Sequence, residues 1–347
     1  MRVLVTGHGG YIGAVLAPFL QRAGHEVVGF DSGWFDDAPF GDDSEIRRLP
    51  AIRKDLRDAE RRDLEGFDAV VHLAGLSNDP LGDLDPGLTH AINEAASVRF
   101  AELAKAAGVS RFLFSSSCST YGAAGDEPLD ESAEFNPVTP YGFSKVRMEE
   151  ALSRLADQRF TPTYLRNATA YGVSSRLRLD LVLNNLMGWA VTTGKIRLMS
   201  DGTPWRPIVH IEDISRAFLA VLEAPRETVH ARAFNVGRTA ENYRIRELAE
   251  IVAETVPGTS VEFAAGAGPD KRNYRVDCDR IARELPAFQP RWDARSGARE
   301  LYDAYRRVGL SREAFDGPSY KRLAHIQRLQ REGRLDASLR WRAPVPA

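Results

Sequence analysis

The sequence predicts an α/β fold in which a doubly wound parallel sheet carries a smaller C-terminal lobe. Three observations predict it. Short apolar runs recur along the N-terminal half with helical stretches between them, as in strands covered on both faces. A glycine cluster, Gly7-His-Gly9-Gly10-Tyr-Ile-Gly13, joins the first run to the first helical stretch. After Gly172 the pattern breaks into shorter pieces interrupted by Arg, Asn, Trp and Gly.

Arg2 to Thr6 reads as a buried strand, and the glycines after it open an apolar helix that runs through about Arg22. Glu26 to Asp31, Ala69 to Leu73, Arg111 to Ser115 and Thr163 to Arg166 read as further strands. Asn93 to Ala107 reads as a helix ended by Gly108, and Pro140 precedes a helix that carries Tyr141 and Lys145. Residues 1–172 therefore form the sheet domain, with 211–238 returning to it, and 173–210 and 239–310 form the lobe. Residues 311–347 make a charged, partly helical extension that fits either a surface cap or a dimer contact.

A chain of 347 residues, 43% apolar, suffices for one large α/β unit with a lobe. The net charge of −2 gives no global basic field for nucleic acid. Cys118 and Cys278 make neither a disulfide framework nor a metal site, and they fit a reducing cytoplasm. Val3-Leu4-Val5 is too short for the apolar core of a signal peptide. No stretch approaches the roughly 18 apolar residues of a membrane span.

The glycines at 7, 10 and 13 follow a strand and open a helix, the context a dinucleotide-binding turn requires. They permit a tight turn and let the backbone approach a pyrophosphate at the helix N-terminus. The sheet is thus expected to be Rossmann-type, with Gly7, Gly10, Tyr11, Ile12 and Gly13 as cofactor contacts. Asp31 ends the second strand, near the offset at which an acid takes the adenosine ribose hydroxyls. No Arg or Lys follows it in Ser32-Gly33-Trp34 to hold a 2′-phosphate, which favours NAD over NADP. Asp55 and Leu56 are candidates for contacting adenine.

Phe112-Leu-Phe-Ser115-Ser-Ser117-Cys-Ser-Thr-Tyr121-Gly runs off a strand end, where ligands of open α/β sheets bind. Tyr141 and Lys145, four residues apart, share one face of a helix. Further pieces are His72-Leu73-Ala74-Gly75, Asn93, Leu165-Arg166 with Tyr171-Gly172, and Asp201-Gly-Thr-Pro-Trp-Arg206. In this order they resemble the extended short-chain dehydrogenase/reductases, specifically the nucleotide-sugar epimerase/dehydratase branch (UDP-glucose 4-epimerase-like). The resemblance covers the chain to about residue 310.

The resemblance implies roles. Tyr141 is the expected base toward a sugar hydroxyl, and Lys145 with the cationic nicotinamide of NAD would favour its phenolate. Ser117 would hydrogen-bond the reacting hydroxyl. Leu73, Ala74, Gly75, Asn93, Ser115, Tyr141 and Lys145 join the expected cofactor contacts. Asn167, Asn184, Arg206 and Arg272, with Ser117, are expected to bind a nucleoside-diphosphate sugar, Arg206 through its diphosphate. Dehydratases of the branch carry Thr-Asp-Glu where this chain has Ser117-Cys118-Ser119. Enzymes that epimerise beside a keto group often carry Cys at the place of Ser119, and Cys118 reads as a packing residue. Hydride transfer out and back, at C4, is the remaining simple chemistry. Two departures from the galactose type touch the sugar side: Thr169 stands where Asn is expected, and Ala267 where a second Arg is expected. A nucleotide-ketosugar reductase would share all of these residues, and a non-catalytic dinucleotide-binding regulator stays an alternative. The resemblance further implies a homodimer through the helices near 93–107 and 141–156.

Overall fold

The computed structural model describes residues 1–77, 81, 85–122, 127–268 and 273–343, the side chains of 264–268 excepted. Seven strands form one sheet. Five of them are β1 (Arg2–Thr6), β2 (Glu26–Asp31), β3 (Ala51–Arg53), β4 (Ala69–His72) and β5 (Arg111–Ser117). Thr161–Asn167 and Arg232–Val236 complete it. The order is Arg232–Val236, Thr161–Asn167, β5, β4, β1, β2, β3, and every pairing is parallel. The chain winds outward from β1 in both directions, so the fold is the Rossmann-type α/β sheet that the sequence predicts. The sequence pattern missed β3, whose three residues are too short to show a period, and gave Arg232–Val236 only as part of a segment, 211–238, that returns to the sheet.

Strand alternation divides the core. Val3 and Val5 of β1 pack into one apolar cluster with Leu16, Leu20 and Phe218. Leu4, between them, packs into the opposite cluster with Phe100, Phe112, Met148 and Leu152. Successive side chains point to opposite faces, so each strand cements helices on both sides.

The helix Pro140–Leu155 docks across β5 and Thr161–Asn167. It starts where it does because the Thr139 hydroxyl accepts from Gly142 N at 3.1 Å and Pro140 fills the first turn. Its seat is polar as well as apolar. Arg166 donates to both Glu149 carboxylate oxygens, at 2.8 Å from Nη2 and 3.1 Å from Nε, with the two side chains 6% and 5% exposed. Ser116 Oγ also donates to Glu149. Arg166 Nη1 reaches Tyr121 Oη at 2.9 Å, and Tyr121 Oη donates to Asn235 Oδ1 at 2.7 Å.

Residues 173–210 and 239–310 supply elements that lie outside the large sheet. Helices Val182–Thr193, Ile245–Thr255 and Ala294–Val308 share an apolar core containing Leu183, Met187, Leu248, Val252, Leu301 and Tyr305. Trp205–His210 pairs with Thr169–Tyr171 and with Asn242–Arg244, and so ties these elements to the sheet's C-terminal edge. The helix Ile211–Glu223 and the strand Arg232–Val236 return to the large sheet. The helix Arg322–Arg331 packs on Trp34 and Leu76 of the same chain. No helix among the described residues is long and apolar enough to cross a membrane.

Removing one member of a buried, hydrogen-bonded ion pair leaves the other charge without compensation. Glu149→Ala should therefore cost about 3–5 kcal/mol of stability, read from the urea midpoint. A shift worth under about 1 kcal/mol, the level of an exposed pair, would show that the helix does not depend on this pair.

Candidate active site

The site lies at the C-terminal ends of the sheet strands and consists of two clefts. The first, of about 960 Å³, is lined by Gly7, Gly10, Tyr11, Ile12, Gly13, Asp31, Asp55, Leu56, Leu73, Ala74 and Gly75. The second, about 1980 Å³ and open, is lined by Ser115, Ser117, Ser119, Tyr141, Asn167, Thr169 and Arg206 among others. Ile12, Ser77, Ala170 and Arg178 border both.

In the first cleft the turn after β1 brings backbone against backbone. Gly7 has φ +71°, and a Cβ there would stand 2.8 Å from Ala74 N. A Cβ on Gly13 would stand 2.2 Å from Gly7 O. The helix that follows, α1 (Gly13–Arg22), has no side-chain cap and no acidic residue in its first turn. Its N-terminus is left open to an anion. Asp31 is oriented by two backbone donors, Gly9 N at 3.0 Å and Gly33 N at 2.7 Å. Two basic residues that the sequence reading did not place here approach the same end, and both are spent. Arg53 pairs with Asp36, and Lys54 Nζ lies 2.8 Å from both Glu60 and Asp63. Neither is free for a 2′-phosphate. A glycine cradle, an open helix N-terminus and a held carboxylate fit a dinucleotide such as NAD.

In the second cleft, β5 ends in the serine cluster. Ser117 Oγ accepts from Ser119 N at 3.1 Å and from Ser119 Oγ at 2.9 Å. Tyr141 lies in the first turn of its helix and lines the cleft. Lys145, one turn on, is buried beneath it. Its Nζ lies 5.4 Å from the Tyr141 ring centroid and donates to Ser115 O at 2.7 Å. Burial lowers the Lys145 pKa to about 8, against the pull of Glu149. Asn167 donates to Ser115 Oγ at 3.0 Å, while its buried Oδ1 has no partner among the described residues. Arg206 is 6% exposed and donates to Trp205 O at 2.8 Å.

Several expected residues sit elsewhere. Asn93 is spent on the loop after β4: Oδ1 accepts from Leu76 N at 2.7 Å and Nδ2 donates to Leu76 O at 2.9 Å. It braces the wall behind Gly75 and lines neither cleft. Asn184 is fully buried and bonded to Gly172 N, Tyr11 Oη and Arg178 O. Its neighbour Asn185 faces the second cleft instead. Arg272, with Asp270 and Lys271, lies outside the described residues. Cys118 is fully buried, its Sγ 3.1 Å from Arg166 O, and burial pushes its thiol pKa up.

The sequence reading missed Arg178. It joins the two clefts and is gripped by Asp180, at 2.9 and 3.0 Å. Burial disfavours its charge, but Asp180, and less strongly Tyr11 and Tyr141, raise its pKa. The only signal was Arg178-Leu-Asp180 shortly after Tyr171-Gly172. Among the described residues no group of three or more His, Cys, Asp or Glu could hold a metal.

The model of the NAD dependent epimerase/dehydratase family matches residues 3–237. The chain belongs to that family. The UDP-glucose 4-epimerase of Bacillus subtilis is 29% identical over 332 residues, covering 87% of this chain and 94% of its own. MoeE5, solved with UDP-glucuronic acid and NAD, is 28% identical, with a TM-score of 0.75 and coverage of 88% and 99%. The UDP-glucose-4-epimerase of Stenotrophomonas maltophila, solved with NAD and formylated UDP-arabinopyranose, is 25% identical. Its TM-score is 0.78 and the coverage is 89% and 99%. NAD is the cofactor of this nucleotide-sugar epimerase/dehydratase family.

Lys145 sets a pH dependence. Its pKa falls from 10.5 unfolded to about 8 folded, so between those values the unfolded chain holds the extra proton and stability rises with pH. In cofactor-free protein, wild type should gain up to about 3 kcal/mol on Lys145→Met between pH 8 and 10.5. Urea titrations of both proteins at the two pH values check this, and a constant difference would sink it.

Proposed function

We propose that the protein epimerises a nucleoside-diphosphate sugar at C4, by transient oxidation to a ketosugar with Tyr141 as the base. One observation carries this reading. Ser117 and Tyr141 line one cleft above Lys145, and Asp180, the sole carboxylate among the described residues that line it, is gripped by Arg178. Elimination of water from the sugar needs a free carboxylate beside the ring, and none of the described lining residues offers one. Epimerisation by deprotonation beside a keto group needs an acid/base of its own, and Cys118 is buried with its thiol protonated.

Bound NAD supplies the hydride acceptor and, in return, the donor. Tyr141 takes the hydroxyl proton as the carbonyl forms and gives it back when the carbonyl is reduced. Ser117 holds the reacting oxygen through its hydroxyl. Lys145 keeps a positive charge under Tyr141, which favours the phenolate. Rotation of the ketosugar between the two transfers presents its opposite face. Arg206 is suited to the sugar nucleotide's diphosphate, and the unpaired Asn167 Oδ1 to a sugar hydroxyl. The reading includes a homodimer through the helices near 93–107 and 141–156. The surface groove between them sets Ala95, Val98 and Ala151 among His90, Glu94, Arg99, Glu102, Arg147, Glu150 and Arg154, so such a contact would be largely charged.

The test starts with the purified protein, its cofactor released by denaturation and identified by mass. Separate samples are incubated with UDP-, dTDP-, GDP- and CDP-sugars without added nicotinamide. The expected outcome is bound NAD and an isomer of unchanged mass. Tyr141→Phe should cut turnover by about 10²–10⁴-fold with bound NAD retained. Stoichiometric oxidation of added NADH or NADPH by a ketosugar, without isomerisation, would instead make the protein a reductase.

A further inference from the structure

Residues 311–343 lie beyond the segment that the family model matches, yet they return to the cofactor cleft. Ile326, Leu329, Leu335 and Leu339 pack against Trp34, Leu76 and Ile92. Polar contacts fasten the same segment to the loops that leave β2 and β3. Trp341 Nε1 donates to Ser32 O at 2.7 Å, and His325 Nε2 donates to Trp34 O at 2.7 Å. Arg328 and Arg334 share Asp37, at 3.0 and 2.6 Å. Arg57 donates to Ser338 O at 2.7 Å, and Arg340 pairs with Asp58 at 2.6 Å. The segment is a strap across the outer wall of the cleft.

Arg322 opens the strap's longer helix and lines the cleft. It is 2% exposed. Its guanidinium lies 4.0 Å over the Phe35 ring, and Nη2 donates to Arg176 O at 2.8 Å. Its neighbours are compensated: Arg176 pairs with Asp43 at 2.9 Å and Arg178 with Asp180. Arg322 has no carboxylate partner among the described residues. Burial, then the adjacent Arg178, holds its pKa down at about 9. A buried cation without an anion is costly, and a bound anion would relieve that cost. The position narrows which anion. Asp31, Asp55 and Leu56 line the cleft with Arg322, and Arg178 also borders the second cleft. Gly10, Tyr11 and Ile12, at the open N-terminus of α1, line the same cleft.

We propose that Arg322, delivered by the C-terminal strap, is a cofactor-binding residue that pairs with the diphosphate of NAD opposite the α1 N-terminus. This rests on the NAD cleft alone and not on which sugar reaction follows. A guanidinium and a helix N-terminus then grip the dianion from two sides.

The test is calorimetric titration of cofactor-free, full-length wild type, Arg322→Met and Arg322→Gln with adenosine, AMP, ADP and NAD. Both variants should bind ADP and NAD about 10–100-fold more weakly, the loss of a charge-assisted contact. Adenosine should change by less than about twofold. The variants should melt, without cofactor, at or above the wild-type temperature, because an uncompensated buried charge has been removed. Should Met fail to fold, Gln decides, since its amide can still donate to the Arg176 carbonyl. Equal losses for adenosine and ADP with a lowered melting temperature would reduce Arg322 to a wall residue and overturn the proposal. Unchanged ADP affinity would overturn it as well.

Discussion

The geometry of the candidate site depends on the buried Glu149–Arg166 pair. Tyr141, Lys145 and Glu149 follow one another at four-residue spacing, so they descend one face of a helix. The lowest of the three is fixed to the sheet by Arg166 and Ser116, and Arg166 is fixed in turn by Tyr121, whose hydroxyl donates to Asn235. The chain of bonds crosses from the helix through the serine loop to the edge strand. A fully satisfied buried network of this kind specifies one arrangement, because any other leaves charges unpaired in a medium of low dielectric. The position of Tyr141 relative to Ser117 is therefore set from below, by groups that touch no substrate. Glu149 has a second effect, since its charge also supports that of the buried Lys145.

Above this network the parallel sheet decides where ligands can meet. All strand C-termini of the large sheet point one way, and β1 is the point from which the chain winds in both directions. The glycine turn after β1 therefore opens beside the end of β4, which leads into Leu73–Gly75, with the serines of β5 one strand further on. Arg178 stands at the seam between the clefts, and Asp180 keeps its charge in place. A cation at the seam favours anionic groups on either side without belonging to one of them.

What could be read from the sequence was local. The strand–glycine–helix junction, Asp31 at a strand end, and Tyr141 with Lys145 each depend on spacing within a few residues, and the structure brings them to the clefts. What could not be read depended on the fold. Asn184 and Asn185 are adjacent, and about 100° of helical rotation separates a fully spent amide from one that faces the cleft. Asn93 was visible as a polar residue near the site, but its bonds to Leu76 appear only when the loop after β4 is in place. Arg322 is a further case: no spacing rule links it to Tyr11, and only the folded strap sets it there.

The charge arrangement of the second cleft bears on how a nucleotide sugar would lie in it. Arg197 and Arg206 line it together with Met199 and Tyr274, whereas Ser115, Ser117 and Tyr141 form its hydroxyl-rich part. The Arg244 and Arg275 guanidiniums lie 5.0 and 4.7 Å from the Trp205 ring centre, so cation–π contacts steady the residue that precedes Arg206. A diphosphate bound by Arg206 would thus be gripped by a residue on a fixed strand. On the proposed reading the polar groups described around the sugar, beyond that anchor, are hydroxyls, the Asn167 and Asn185 amides and the Arg178–Asp180 pair at the seam. Such a pocket holds the nucleotide firmly and the ring loosely, and a ketosugar that must turn over between two hydride transfers needs that asymmetry.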